Sequence, residues 1–186
     1  MATTPEGESF SFTELLGEKL LAKELDQFVE VNTRERLDGK WVCLYFSAHW
    51  CPPCKAFTPI LRKFYLYCLA KNKAMEVVFI SADNNKQEFE DYYLKNMPWL
   101  TLAWDGNEPR RSRLSRRYQV LGIPSLVILS PEGKVANRNA RAALVRDPEG
   151  KNFPWPGDED RSVGGWVIPL IALLAILAIY WFFGQK

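Results

Sequence analysis

The sequence predicts an α/β domain with a mixed central sheet flanked on both faces by helices, and three observations predict it. Apolar, β-branched runs alternate with segments whose apolar residues recur at helical spacing, as strand-helix-strand units do. The turn Ser130-Pro131-Glu132-Gly133 joins two late β-like runs into a hairpin, which adds antiparallel pairing to that alternation. Cys51 and Cys54, three apart, fall where the first apolar run gives way to a helical pattern.

Taken in order, Trp41 to Phe46 is rich in β-branched and aromatic residues and reads as a buried strand. Lys55 to Leu69 follows with apolar residues at helical spacing, and Met75 to Ser81 is a second apolar strand. In Lys86 to Lys95 the residues Phe89, Tyr92 and Tyr93 recur at helical intervals. Leu100 to Ala103 is a short strand candidate after Met97-Pro98-Trp99, and Arg110 to Tyr118 is a helix. Leu126 to Leu129 and a strand near Lys134 to Asn137 form the closing hairpin, followed by a helix. Pro124 enters the last apolar run about seventy residues after the cysteine pair, in an order of elements that predicts a cis bond after Ile123. Such a bond would lay the Ile123 backbone beside the sulfurs.

The cysteine pair carries the chemistry. Backbone N–H groups at a helix N-terminus stabilise an anion, and lower a cysteine pKa from about 8.5 to roughly 3.5–7.5. Cys51 is therefore the expected nucleophile, and Cys54, one helical turn further in, the thiol that resolves a mixed disulfide. Pro52 and Pro53 lack N–H donors and stiffen the loop between them. A structural zinc site needs four ligands in paired spacings, and Cys43, Cys68 and His49, the only histidine, do not supply the second pair. Cys43 and Cys68 are expected as small core residues, and His49 as a partly exposed neighbour that tunes the site.

With 186 residues, 47% hydrophobic and 25% charged, the chain suits one domain plus an appendage. A net charge of +2 with interspersed signs argues against a general nucleic-acid binder, so no nucleic-acid partner is expected. The dense run Arg110, Arg111, Arg113, Arg116 and Arg117 reads as a solvated helix face. Residues 1–12 form a flexible N-terminus without the apolar core of a signal peptide or the arginines of a transit peptide. The domain is expected over 13–156 and a Pro/Gly-rich acidic linker over 157–165. Residues 166–183 are apolar apart from Pro169, and eighteen helical residues at about 1.5 Å each reach across a bilayer core. Trp166, Tyr180 and Trp181 sit near the ends, where interfacial aromatics belong. This segment is expected to be a C-terminal transmembrane helix, a tail anchor that leaves the domain in the cytosol. The mitochondrial outer membrane is the favoured address and the endoplasmic reticulum the alternative.

The order of elements resembles the thioredoxin superfamily. Within it, Tyr45-Phe46-Ser47-Ala48-His49-Trp50-Cys51-Pro52-Pro53-Cys54, Met97-Pro98-Trp99, Ile123-Pro124, Ala140-Arg141-Ala142, Asp147-Pro148-Glu149-Gly150 and Phe153-Pro154-Trp155 are similar to tryparedoxins, over about residues 20 to 156. The CxxC unit alone is shared with other relatives, including nucleoredoxins; the late Arg-Ala to Phe-Pro-Trp block is narrower. The resemblance implies a thioredoxin-like fold and electron transfer from the dithiol trypanothione to peroxiredoxins or glutathione-peroxidase-like enzymes, with no cofactor. It implies Cys51 as nucleophile, Cys54 as resolver, and Trp50, Pro52, Pro53, Ile123, Pro124 and Arg141 as the surface that binds trypanothione or partner. Two positions bear on this. Tyr45 stands where thioredoxins keep a buried carboxylate, as it does in tryparedoxins, and Ala82-Asp83-Asn84 stands where the family carries Trp-Asp-Glu.

Two other functions compete. A nucleoredoxin-like or thioredoxin-like membrane-tethered reductase would draw on another reductant, and a redox-gated docking module would use the disulfide only to control binding. A peroxidase in its own right is weaker, since no peroxide-polarising Arg-Thr arrangement adjoins the thiol.

Overall fold

The computed structural model describes residues 10–104 and 109–157. Two short elements open it: helix α1, Phe12–Leu16, and the hairpin β1, Lys19–Glu24, with β2, Gln27–Asn32. Helix α2, Thr33–Leu37, leads into β3, Trp41–Ser47, then α3, Pro52–Ala70, β4, Met75–Ser81, and α4, Lys86–Asn96. β5, Leu100–Thr101, α5, Pro109–Arg117, β6, Ser125–Leu129, β7, Val135–Asn137, and α6, Ala140–Arg146, complete the order.

The seven strands form one mixed sheet in the order β2-β1-β5-β4-β3-β6-β7. β3 runs parallel to β4 and antiparallel to β6, with Ser47 opposite Ser81 and Phe46 opposite Ser125. Alternate side chains of the central strands enter different cores, as a period of two requires. Cys43, Tyr45, Val77, Phe79, Leu126 and Ile128 face α3, α4 and α6, while Val42, Leu44, Phe46, Val78, Ile80, Val127 and Leu129 face α1, α2 and α5. Burial on both faces explains why β3 and β4 read as continuous apolar runs instead of alternating ones.

The expected strands and helices are present, with differences at their edges. α3 begins at Pro52, because proline fits the first helical turn, where no N–H bond is lost. β5 is two residues long, held by Val78 opposite Leu100 and Phe79 opposite Thr101. The N-terminal hairpin was not foreseen: it turns at Leu25, which has positive φ but is neither Gly nor Asn, so the usual turn signal is missing. Ser11 caps α1, Phe12 is buried, and the Gly157 N–H donates to Ala136 O at 2.7 Å. Residues 1–9 and the segment 158–186, which holds most of the expected linker and all of the expected transmembrane helix, lie outside the described residues. Among the described residues no helix is long and apolar enough to cross a membrane.

Of the arginine run expected as a solvated face, Arg113, Arg116 and Arg117 are exposed while Arg110 and Arg111 are half-buried, and Leu114 and Tyr118 turn into the core. Cys43 and Cys68 are free and buried, and burial pushes both thiols up. Gly133, at φ +73°, closes the hairpin turn; a Cβ there would run into the Phe10 ring.

Glu76, 3% exposed on β4, accepts from Tyr65 Oη at 2.8 Å and Val77 N at 3.0 Å and faces Arg36 at 3.7 Å. Burial raises its carboxyl above the usual range against the pull of Tyr65, Val77 and the Lys40 and Arg36 cations. The folded state thus binds this proton more tightly than the unfolded state, where a glutamate titrates near about 4.3. Its contribution to stability is full below that value and is lost as pH rises through the higher folded one. Urea unfolding of wild type and Glu76→Gln from pH 4 to 7.5 should show wild type losing stability relative to the variant as pH rises. A constant difference would refute the linkage.

Candidate functional site

The site is assembled by three chain segments at one edge of the sheet. β3 ends at Ser47, and the loop after it delivers Cys51 to the N-cap of α3, where its Sγ accepts from Cys54 N at 3.2 Å. Cys51 and Cys54 are joined in a disulfide, with Cα atoms 5.2 Å apart. The second segment is the end of β4: Trp50 Nε1 donates to Ala82 O at 2.9 Å, and Asp83 accepts from His49 N at 2.5 Å and Ser81 Oγ at 2.7 Å. Burial raises the Asp83 carboxyl above its usual range, partly offset by those two bonds. Third comes the approach to β6, where Ile123-Pro124 is cis, as expected, and Ile123 O lies 4.0 Å from Cys51 Sγ.

Exposure separates the roles. Cys54 is fully buried and Cys51 4% exposed, while Trp50 is half exposed and Pro52 and Pro53 are exposed on the first turn of α3. In the reduced protein the Cys54 N–H and the end of a 19-residue helix both favour a Cys51 thiolate. A disulfide approaching from solvent meets Trp50, the two prolines and Ile123 before it meets Cys51.

Of the residues named from sequence, the structure gathers Trp50, Cys51, Pro52, Pro53, Cys54, Ile123 and Pro124. Arg141 is exposed in the first turn of α6, and no hydrogen bond, ion pair or ring contact joins it to this group. His49 is half-buried, with its ring edge-on to Tyr92 at 5.9 Å. Among the described residues no His/Cys/Asp/Glu cluster is arranged to hold a metal.

Sequence reasoning missed the polar layer beneath the disulfide. Thr58 Oγ1 donates to Cys54 O at 3.0 Å and lies 2.8 Å from Tyr45 Oη and 2.5 Å from Tyr92 Oη, which is 3.3 Å from Ser47 Oγ. Thr58 is four residues after Cys54 and so on the same helix face, which was the available signal. Tyr45 therefore introduces no titrating acid below Cys54, since burial, followed by the neighbouring Tyr92, pushes its phenol up. The layer is neutral and hydrogen-bonded, which is how buried hydroxyls avoid their desolvation cost.

Residues 39–135 match a family described as thioredoxin-like. The chain belongs to that family. It is 48% identical to the tryparedoxin of Trypanosoma brucei brucei over 122 residues, covering 64% of this chain and 82% of the relative. It is 39% identical to the nucleoredoxin of Xenopus laevis over 156 residues, 81% of this chain but 36% of that one, so it spans about a third of the nucleoredoxins it matches. The solved structure of tryparedoxin II complexed with glutathionylspermidine superimposes with a TM-score of 0.68 at 39% identity, covering 75% of this chain and 93% of the other. The Cys51–Cys54 disulfide is thus a redox-capable pair held at a helix N-terminus of a thioredoxin-like fold.

The hydroxyl layer makes a stability prediction. Thr58→Val leaves two buried phenols short of a partner and should destabilise the domain by about 1–3 kcal/mol, whereas Thr58→Ser should lose much less. Thermal or urea unfolding of the oxidised proteins compares them; an unchanged stability in Thr58→Val with a loss in Thr58→Ser would mean that packing of the methyl group, not the hydroxyl, matters at 58.

Proposed function

We propose that the protein is a tryparedoxin-type oxidoreductase that takes electrons from trypanothione and delivers them to peroxiredoxins or glutathione-peroxidase-like enzymes. The carrying observation is the helix-capping Cys51–Cys54 disulfide beside the Ile123 carbonyl, in a chain that covers 93% of a tryparedoxin solved with glutathionylspermidine. In the delivering half-reaction the Cys51 thiolate attacks a disulfide sulfur of the partner and expels one thiolate. Cys54 then attacks Cys51 Sγ, closes the internal disulfide and expels the second, so two electrons have passed to the partner. Trypanothione resets the pair by the same exchange in reverse, emerging as its own disulfide.

A second reading keeps the chemistry and changes the reductant. It is favoured by the longer match to nucleoredoxin, 156 residues against 122, and by Ala82 and Asn84 in place of the aromatic and second carboxylate of the tryparedoxin pattern.

Residues 166–183 tether the domain to a membrane on its cytosolic side in this proposal, with the mitochondrial outer membrane first; their length and lack of charge support it. An N-terminally tagged protein should then remain open to added protease on intact mitochondria, and a protected tag would refute that sidedness.

Reduced trypanothione should open the Cys51–Cys54 disulfide and support peroxide consumption through an added peroxiredoxin, with the rate in Cys51→Ser falling to the uncatalysed background. Reduction by a flavoprotein thioredoxin reductase but not by trypanothione would select the second reading.

A further inference from the structure

A cavity of about 640 Å³ opens beside the disulfide, within the size range of ligand sites, about 300–1,000 Å³. Ala82 and Ile123, which pack against the cysteine pair, form its near wall. Arg111, Ser112, Ser115 and Arg116 of α5 form the far wall. None of the described residues lining it is acidic. Leu121, fully exposed, stands on the rim and adds apolar contact area.

The charge of α5 is one-sided: its nine residues include Arg110, Arg111, Arg113, Arg116 and Arg117 and no carboxylate. Arg110 donates through Nη1 to Leu16 O at 3.1 Å, and Arg117 lies over the Tyr118 ring at 5.8 Å. Arg116 is exposed, and its Nε donates to the Ser112 carbonyl of its own helix at 3.4 Å.

We propose that this cavity is a docking groove for an extended segment of a partner protein that carries a carboxylate beside its disulfide cysteine. Continuity with the disulfide fixes where that segment lies, since its cysteine must reach Cys51 past Ile123. Charge complementarity fixes its chemistry. An extended chain advances about 3.3 Å per residue, and exposed charges are screened beyond about 8 Å at physiological salt. The carboxylate therefore lies close in sequence to the cysteine, since the near wall of the cavity packs against the disulfide. The arginines speed encounter and select among partners; bond exchange stays with Cys51 and Cys54.

The inference rests on the oxidoreductase reading, and the test separates the two. The 186-residue protein in nonionic detergent is reduced, freed of reductant and mixed with excess peptide disulfide; each Cys51/Cys54 dithiol then supplies one electron pair and the peptide thiols are counted. The peptides are two cyclic disulfides of equal length, one with Asp and Glu flanking the cysteines and one with Lys. The acidic peptide should react about ten-fold faster at 20 mM salt, with the advantage shrinking at 0.5 M. Arg116→Glu should erase or invert the preference and Arg116→Lys keep it. Arg113→Glu, the same charge change at a position that does not line the cavity, should keep most of it. Equal rates for the two peptides, or equal loss in Arg113→Glu and Arg116→Glu, would overturn the groove. Failure of wild type to reduce either peptide and neutral bis(2-hydroxyethyl) disulfide would instead overturn the oxidoreductase reading.

Discussion

The pairing of β3 on both its edges is the constraint on which the rest depends. β4 is parallel to β3, so its C-terminal end brings Ala82 and Asp83 to the edge where β3 releases Cys51. β6 is antiparallel, so its N-terminal end brings Ile123 and Pro124 to that same edge. Three loops distant in sequence meet because of two strand directions. A slip of one residue in β3 would exchange Cys43 and Tyr45 with Val42 and Leu44 between the two cores, so the hydrophobic pattern fixes this register.

The polar groups near the sheet divide into two sets by distance. Glu76 lies near the start of β4 and Asp83 two residues past its end, and the rise of about 3.3 Å per residue separates Glu76 from the end of the strand by roughly 16 Å. Glu76 is thus a structural group, bonded to Tyr65 and facing Arg36, and too remote to exchange protons with the cysteines. Asp83, just past the end of β4, is turned onto the backbone N–H of His49, where it fixes the loop before Cys51. What lies directly under Cys54 is the neutral layer of Tyr45, Thr58 and Tyr92. The groups hydrogen-bonded directly beneath Cys54 are therefore hydroxyls and not a carboxylate.

Much of this was legible in the sequence, for identifiable reasons. β3 and β4 are buried on both faces, so their apolar runs are dense; Met75 to Ser81 is read from sequence with the bounds it has in the fold. Cys51 and Cys54 are marked by their own chemistry, and Ile123-Pro124 by its order after them. The N-terminal hairpin is an edge element whose partly exposed residues mix Lys and Glu with Leu and Val, and its turn uses Leu25. The hydroxyl layer was hidden for another reason: Tyr45, Thr58 and Tyr92 come from three elements, and no local pattern says that they converge. Arg141 shows the reverse, a residue named by resemblance that the described contacts leave apart from the disulfide.

The positive character of the site comes from two sources that do different things. The α3 N-terminus acts on Cys51 through a backbone N–H 3.2 Å away, within the first turn where the helix dipole is strongest. The arginines of α5 act across the cavity, through solvent that screens them. The first therefore governs how readily the thiolate forms, and the second governs which partners arrive. Ala82 lies between them, packed against the cysteine pair and open to the cavity. A tryptophan at that position, as in the tryparedoxin pattern, would project bulk toward this space. The small side chain keeps a path open from the disulfide to α5, so selection of partners by charge becomes possible without altering the thiol chemistry itself.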